Sequence, residues 1–181
     1  MYDGHEVKLM ALHVVFSHGQ ESGPWGTKIK TMANLAVSLG CEVKSIDYQG
    51  IEAADHRVIK LISECSSIKD SIVLVGSSMG GFVASAAAKE IEAVGLFVLA
   101  PAYFMKGFVY TPFEVADIPT EIIHGWRDDI IPVKNSIRYA QENHAKLHIL
   151  DGDHRLTENI EDINAYLEIF LNQRILDHSL E

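Results

Sequence analysis

Residues 73–85 read VLVGSSMGGFVAS, an apolar run that ends in two adjacent serines among three glycines. The apolar residues before the glycines predict a buried β-strand, and the Ala-rich residues after them predict a helix. A reactive serine on such a tight turn needs glycine two residues before and after it, because side chains there would collide where the chain doubles back. Ser78 has Gly76 and Gly80 at these positions, whereas Ser77 does not. We therefore predict that Ser78 is reactive and that Ser77 is structural.

Short β-type runs alternate with helical patterns along the chain. Strands are predicted at 12–16, 41–46, 71–75, 94–99, 120–123 and 146–150, and helices at 29–39, 54–64, 82–91, about 133–142 and about 158–175. The strands are continuously apolar rather than alternating, which is typical of a parallel sheet covered on both faces by helices. No linker or repeat interrupts the pattern, so residues 1–181 are expected to form a single α/β domain.

The composition is that of a soluble globular protein, with 48% hydrophobic and 22% charged residues. The formal net charge of -10 would repel a phosphate backbone, so we expect no binding to nucleic acid. No stretch approaches the roughly 18 apolar residues of a membrane span, and the first residues lack the pattern of a signal peptide. Cys41 and Cys65 fit neither a disulfide framework nor a metal site. We expect a soluble, cytoplasmic protein.

A serine hydroxyl becomes a nucleophile only when a base takes its proton and an acid orients that base. In a parallel sheet, the loops that leave the carboxyl ends of the strands meet at one edge. Segment 124–132, HGWRDDIIP, leaves the fifth predicted strand and offers Asp128 as the acid, with Asp129 as an alternative. Capping of the next helix is another explanation of this acidic pair. Segment 151–155, DGDHR, leaves the last strand and offers His154 as the base.

Attack of a serine on a carbonyl group also needs two N–H donors for the oxyanion that forms in the transition state. The backbone amide of Met79, directly after Ser78, is the first candidate. The loop after the first strand begins SHGQ, and it offers the amide of Gln20 as the second candidate. Gly19 would let this backbone approach closely, because it has no side chain.

Four segments, HGQESGP, GSSMGG, HGWRDDIIP and GDHRL, together resemble the α/β-hydrolase superfamily over nearly the whole chain. More narrowly, the sequence is similar to the small bacterial YqiA-like esterases, which have a similar HG loop leading into a lysine-bearing helix and a similar serine-glycine turn. The resemblance implies a serine carboxylesterase that works through an acyl-enzyme, without metal or cofactor. Its catalytic residues would be Ser78, Asp128 and His154, and its substrate a small-molecule ester or thioester.

Many members of that superfamily insert a helical lid after the strand that follows the serine turn. Only about twenty residues, 101–119, are available here, so we expect a flap and no lid domain. Aromatic residues in this segment and in two neighbouring loops could form an apolar substrate pocket; the candidates are Trp25, Tyr103, Phe104, Phe108 and Trp126. Packing in the core below the loop is the other explanation for several of them.

Other functions stay open alongside ester hydrolysis. A thioesterase or depalmitoylase would use the same residues, and a non-catalytic binding module could keep the same fold. Metal-dependent hydrolysis through Asp151, Asp153 and His154 is not expected, because these residues lack a helix-spaced pair of ligands.

Overall fold

The computed structural model describes residues 11–105 and 113–178. The strands and helices follow in the order β1 (His13–Ser17), α1 (Thr27–Ser38), β2 (Glu42–Ile46), α2 (Ala54–Cys65), β3 (Ile72–Ser77), α3 (Met79–Ile91), β4 (Gly95–Leu99), β5 (Thr120–Gly125), α4 (Val133–Asn143), β6 (Lys146–Leu150) and α5 (Ile160–His178). A short 3-10 helix, Thr157–Asn159, precedes α5. Over this part of the chain, no helix combines the length and the apolar character needed to cross a bilayer.

The six strands form one parallel sheet in the order β2-β1-β3-β4-β5-β6. The chain first moves from β1 outward to β2, and it then crosses back to place β3 on the other side of β1. Ligands of open α/β sheets bind at such a reversal, outside the carboxyl ends of the strands. The ends of β1 and β3 are in register there, with Ser17 opposite Gly76. The loops after these two strands therefore meet where this architecture favours a binding site.

Helices cover both faces of the sheet. Side chains of β1 alternate between the two cores, with Val14 and Phe16 in one and Val15 in the other. The first core lies under α1 and α5, and the second lies under α2, α3 and α4. Burial on both faces explains why the strands are apolar throughout. The predicted α/β fold with a parallel sheet and two helical layers is confirmed.

The main difference from the predicted boundaries is at α3, which begins at Met79 rather than at residue 82. Glycine is a poor helix former, so the sequence favoured a start after Gly81. A Cβ atom on Gly80 would overlap the carbonyl oxygen of Ser17, and one on Gly81 would lie 3.1 Å from Cβ of Pro101. Close packing of the first helical turn against β1 therefore outweighs the low helix propensity of the glycines.

The segment between β4 and β5 contains no helix or strand in its described residues, 101–105 and 113–119. Its second part is anchored to α3 by an edge-to-face contact between Phe113 and Phe82, whose ring centroids are 5.3 Å apart. The described residues of this segment form no lid domain, which agrees with the expectation from its length.

Candidate active site

Ser78 occupies the turn between β3 and α3, where its φ of 55° and ψ of -122° lie outside the regions that residues with side chains prefer. Such a conformation costs on the order of 1–3 kcal/mol and persists only where the surroundings fix it. The Ser78 N–H donates to the carbonyl of Leu99 at 2.9 Å, and its carbonyl accepts from the N–H of Ala102 at 3.0 Å. Gly76 permits the turn, because a Cβ atom there would overlap the carbonyl oxygen of Gly80. This is the geometry of a nucleophile elbow.

A continuous hydrogen-bond chain links the three predicted catalytic side chains. Nε2 of His154 lies 3.0 Å from Oγ of Ser78, and Nδ1 of His154 lies 2.8 Å from Oδ2 of Asp128. The three side chains come from the loops that follow β3, β6 and β5, so the parallel sheet brings them together at one edge. The Asp129 side chain is exposed instead. The arrangement can transfer a proton from Ser78 to an oriented imidazole.

The Asp128 carboxylate is fully buried and bonded at both oxygens. Oδ1 accepts from the backbone N–H groups of Ile130 and Ile131, at 2.9 and 2.8 Å. Oδ2 lies 3.0 Å from Nε2 of a second histidine, His124, as well as facing His154. Burial raises the pKa of Asp128, but the hydrogen bonds from His124, His154 and the two amides outweigh it and hold this pKa well below its usual range. The carboxylate is therefore ionised at neutral pH.

His124 is a part of the site that the sequence reasoning missed, because its position was read as the start of a loop. It lies within β5 and is completely buried. Its Nε2 is 2.9 Å from the carbonyl oxygen of Ile131, which can only accept, so Nε2 carries a proton and also faces Asp128. Its Nδ1 lies 2.7 Å from Oγ of Ser136. The spacing of four residues to Asp128 in HGWRD was the signal that could have identified it.

The structure brings the backbone of the HG loop, which begins with His18 and Gly19 after β1, next to Ser78. A Cβ atom on Gly19 would lie 3.5 Å from Cβ of Ser78, so any side chain there would fill the space beside it. Gln20 follows directly in this loop. Met79 is the first residue of α3, and its N–H is one of the helix-terminal donors that have no acceptor within the helix. The positive end of the helix dipole adds to the attraction for a negative oxygen at this point.

Lys28 of α1 connects the serine turn to the histidine loop, which the sequence reasoning did not foresee. Its Nζ donates to the carbonyl of Arg155 at 2.5 Å and lies 3.5 Å from Oγ of Ser77. Burial lowers the pKa of Lys28 to about 8, although the negative charges of Asp153 and Asp128 partly oppose this shift. The contact with Ser77 agrees with a structural role for the first serine of the pair.

The predicted pocket residues divide into two groups. Three of them are exposed, with 45%, 44% and 60% of their surface accessible in Trp25, Phe104 and Trp126. Tyr103 belongs to the core instead: its ring stacks on Tyr139 at 3.8 Å, and its hydroxyl is 2.7 Å from Oγ of Ser85. Burial against α3 and α4 therefore accounts for Tyr103 without a contact to substrate. Phe108 lies outside the described residues.

The acidic residues around His154 are engaged in ways that do not suit a metal site. Both nitrogens of His154 already face Ser78 and Asp128. Oδ1 of Asp153 accepts from the backbone N–H groups that follow His154, and Asp151 pairs with Arg127 at 2.6 Å. These contacts build the turn that presents His154, so the three side chains do not converge on one point.

A cavity of about 330 Å³ lies at the opposite end of the strands and includes Cys65 in its wall. Burial raises the pKa of the Cys65 thiol to about 11, so this cysteine is protonated at neutral pH and is a poor nucleophile. The described hydrogen-bond chain of Ser78, His154 and Asp128 is at the carboxyl edge and not at this cavity.

Comparison with known proteins identifies the class of the chain. The chain belongs to the α/β-hydrolase family, since the family model for an alpha/beta hydrolase domain matches residues 11–165. A protein of the alpha/beta hydrolase superfamily from Xanthomonas campestris pv. campestris is similar in structure, with a TM-score of 0.83, 27% identity, and coverage of 89% of this chain and 98% of that chain.

Two less similar structures share the fold. One is a serine hydrolase without a lid from Xanthomonas campestris, with a TM-score of 0.70, 18% identity, and coverage of 93% of this chain and 84% of that chain. The other is the type II thioesterase BorB from the borrelidin biosynthetic cluster, with a TM-score of 0.74, 15% identity, and coverage of 90% of each chain. No curated protein has a matching sequence. The narrower likeness to the YqiA-like esterases stays a prediction.

Proposed function

We propose that this protein is a serine hydrolase that cleaves carboxylic esters of small molecules. Ser78 would be the nucleophile, His154 the general base and acid, and Asp128 the group that orients and stabilises the imidazole. The observation that carries the proposal is the unbroken chain from Oγ of Ser78 through His154 to Asp128, with distances of 3.0 and 2.8 Å. Membership of the α/β-hydrolase family agrees with it.

The reaction would proceed in two halves. In the first, Oγ of Ser78 attacks the ester carbonyl carbon while its proton passes to Nε2 of His154. The imidazolium then gives this proton to the leaving alcohol as the C–O bond breaks, which leaves the acyl group on Ser78. In the second half, a water molecule loses a proton to His154 and attacks the acyl carbon. The proton returns to Ser78 as the carboxylic acid departs.

Each half passes through a negatively charged tetrahedral intermediate. The backbone amides of Met79 and Gln20 are the proposed donors to its oxygen, supported by the position of Met79 at the start of α3 and of Gly19 beside Ser78. Removal of one such donor costs about 10²–10³ in kcat in serine hydrolases. Asp128, ionised because its hydrogen bonds lower its pKa, would stabilise the imidazolium that accompanies each intermediate.

A thioesterase is the second candidate, because the same groups can attack an acyl-thiol. The type II thioesterase BorB shares the fold of this chain, so the fold itself is compatible with such a reaction. We expect short acyl groups in either case, because Trp25 and Trp126 are exposed and residues 101–105 and 113–119, the described part of the segment between β4 and β5, form no lid domain that would enclose a long chain.

The proposal is tested with matched pairs of oxygen esters and thioesters that share an acyl group of two to eight carbons. We expect hydrolysis of the short members, and a loss of about 10⁴-fold or more in kcat in Ser78→Ala. A folded Ser78→Ala variant that keeps kcat within tenfold of the wild type would contradict the proposal. A folded wild type that cleaves none of these substrates would favour a binding module, and a preference for thioesters above tenfold would make it a thioesterase.

We also propose that the protein acts in the cytoplasm. The support is chemical: Cys41 and Cys65 are both buried free thiols, which suits a reducing compartment. Oxidised thiols in protein isolated under conditions that trap the redox state would contradict it.

A further inference from the structure

Arg57 of α2 is a buried cation that the proposed reaction does not use. Only 3% of its surface is exposed. Its guanidinium lies over the ring of Tyr48, 5.1 Å from the centroid. Within residues 11–105 and 113–178, no carboxylate lies at ion-pairing distance from it. A buried charge without a counterion is costly unless its hydrogen bonds are satisfied, so the groups that Arg57 binds indicate its purpose.

The partners of Arg57 are backbone carbonyls of two loops at the carboxyl edge of the sheet. Its Nε donates to Ile51 at 2.7 Å, in the loop that follows β2. Its Nη1 donates to Gly19 at 3.2 Å and to His18 at 3.4 Å, in the loop that follows β1. Arg57 thus connects the HG loop to the loop that follows β2 through hydrogen bonds to both.

His18 holds the same carbonyl from a second direction. Its Nδ1 is 2.7 Å from the carbonyl oxygen of Gly19, and its Nε2 is 2.9 Å from the backbone nitrogen of Tyr48. Because the Tyr48 N–H can only donate, Nε2 accepts, and the ring is the neutral form with its proton on Nδ1. Burial lowers the pKa of His18, and the charge of Arg57 lowers it further, against the opposing effects of the Gly19 carbonyl and Asp47. The Gly19 carbonyl therefore receives two buried donors.

We infer that Arg57 is a positioning residue for the oxyanion hole: together with His18 it fixes the peptide plane between Gly19 and Gln20 so that the Gln20 N–H faces the substrate oxygen. A trans peptide is planar, and its N–H points opposite to its C=O. With the Gly19 oxygen held towards Arg57 and His18, the Gln20 N–H is held towards the opposite side of the peptide. Ser78 lies beside this peptide, since a Cβ atom on Gly19 would be 3.5 Å from Cβ of Ser78. Glycine at position 19 would otherwise rotate freely, because it has no Cβ.

The charge of Arg57 adds an electrostatic effect to this orientation. A cation bonded to the carbonyl polarises the peptide and makes its N–H a stronger donor, as in other hydrogen-bonded chains of low local dielectric. The effect is largest when negative charge develops on the substrate oxygen, which happens in the transition state and not in the bound ester. The inference rests on the proposed function, and it predicts that Arg57 affects kcat more than KM.

The test compares Arg57→Met and Arg57→Lys with the wild type on a short activated ester such as p-nitrophenyl acetate. Leu61→Ala is the matched control, because Leu61 is a fully buried core residue of the same helix. Its truncation costs about 2–5 kcal/mol of stability and removes no hydrogen bond to the HG loop, because leucine has no polar side-chain atom. Circular dichroism and thermal melting give the folded fraction of each variant, so that kcat is expressed per folded molecule.

We expect Arg57→Met to lower kcat by about 10- to 100-fold, less than the outright loss of an oxyanion donor, with KM changed by less than about threefold. The kcat of Arg57→Lys should lie between those of Arg57→Met and the wild type, since one ammonium cannot reach both the Ile51 and the Gly19 carbonyls. A trifluoromethyl ketone that adds to Ser78 gives a spectroscopic check. The pKa of its hemiketal hydroxyl, followed by ¹³C NMR, should be higher in the variants than in the wild type and in Leu61→Ala.

Three results would overturn the inference: kcat per folded molecule equal to that of Leu61→Ala, a change carried by KM alone, or an unaltered hemiketal pKa. If Arg57→Met does not fold, Arg57→Lys decides, and wild-type kcat in that variant is the contradicting result. The failure of the proposed function has a different signature. In that case the wild type itself does not hydrolyse the ester and forms no hemiketal at Ser78.

Discussion

Replacement of Asp128 by Asn tests which acidic residue orients the imidazole, and the structure predicts how the new side chain will sit. Oδ1 of Asp128 accepts from two backbone N–H groups, at 2.9 and 2.8 Å. An amide NH2 group cannot occupy that position, because it would face two donors. The asparagine oxygen must therefore take the Oδ1 position, which leaves its NH2 group facing Nδ1 of His154 and Nε2 of His124.

The consequence is a change of tautomer in His154. Its Nδ1 must accept from the new NH2 group, so the proton moves to Nε2, which then faces Oγ of Ser78 and can no longer take its proton. The wrong tautomer in an otherwise intact triad lowers kcat by about 10⁴-fold in serine proteases, which is about 5.4 kcal/mol at 1.36 kcal/mol per decade. The Nε2–H of His124 would also face the NH2 group, and this unpaired buried contact costs about 1–3 kcal/mol of stability.

The assay is steady-state hydrolysis of p-nitrophenyl acetate beside a thermal melt of each variant. Asp129→Asn is the matched control, because it makes the same chemical change at an exposed neighbour. We expect it to leave kcat within about twofold and stability within about 0.5 kcal/mol. A folded Asp128→Asn variant that keeps kcat within tenfold of the wild type would show that Asp128 does not orient His154. Loss of activity in Asp129→Asn instead would assign this role to Asp129.

Three further predictions concern stability and reactivity. Gly80→Ala should lower the free energy of unfolding in urea by about 3 kcal/mol or more, since its Cβ would overlap the Ser17 carbonyl. Gly23→Ala is the control and should cost less than about 1 kcal/mol, because its Cβ would make only ordinary van der Waals contacts. The pKa of Lys28 is about 8 in the folded state and lies below its unfolded value, so protonation of Lys28 opposes folding fully below pH 8 and progressively less up to about pH 10.5. The unfolding free energy of the wild type should therefore rise relative to that of Lys28→Met between pH 7.5 and 10, and a constant difference between the two would contradict this prediction. Cys65, with a pKa of about 11 and little exposure, should resist alkylation by iodoacetamide at pH 8 in native protein and react in guanidinium, and rapid native labelling would be the contrary result.

The parts of this protein that local patterns determine could be predicted from the sequence. The strands were visible because a sheet buried on both faces needs continuous apolar runs, and the glycines on either side of Ser78 marked the turn. Order along the chain and strand ends then pointed to His154 and Asp128, which the structure places within hydrogen-bonding distance of each other.

The supporting residues could not be predicted in this way, because their roles depend on contacts between distant segments. Arg57 lies 38 positions from the Gly19 carbonyl that it binds. The pattern of apolar residues in its helix predicts which face of the helix is buried, but it does not predict which distant carbonyl a buried side chain will bind. Lys28 bonds a carbonyl 127 positions away. His124 is the exception, since it lies only four residues before Asp128 and a spacing as short as this is visible in the sequence. The aromatic Tyr103 illustrates the reverse error, because composition alone does not separate a pocket wall from core packing against Tyr139.

If Ser78 is the activated nucleophile that we propose, it will react covalently with a fluorophosphonate. The folded protein would be treated with this reagent, digested and analysed by mass spectrometry, beside Ser78→Ala and Asp129→Asn. We expect one phosphonylated peptide that contains Ser78 in the wild type and in Asp129→Asn, and none in Ser78→Ala. Absence of labelling in a folded wild-type sample, or labelling of Ser77 that persists in Ser78→Ala, would contradict it.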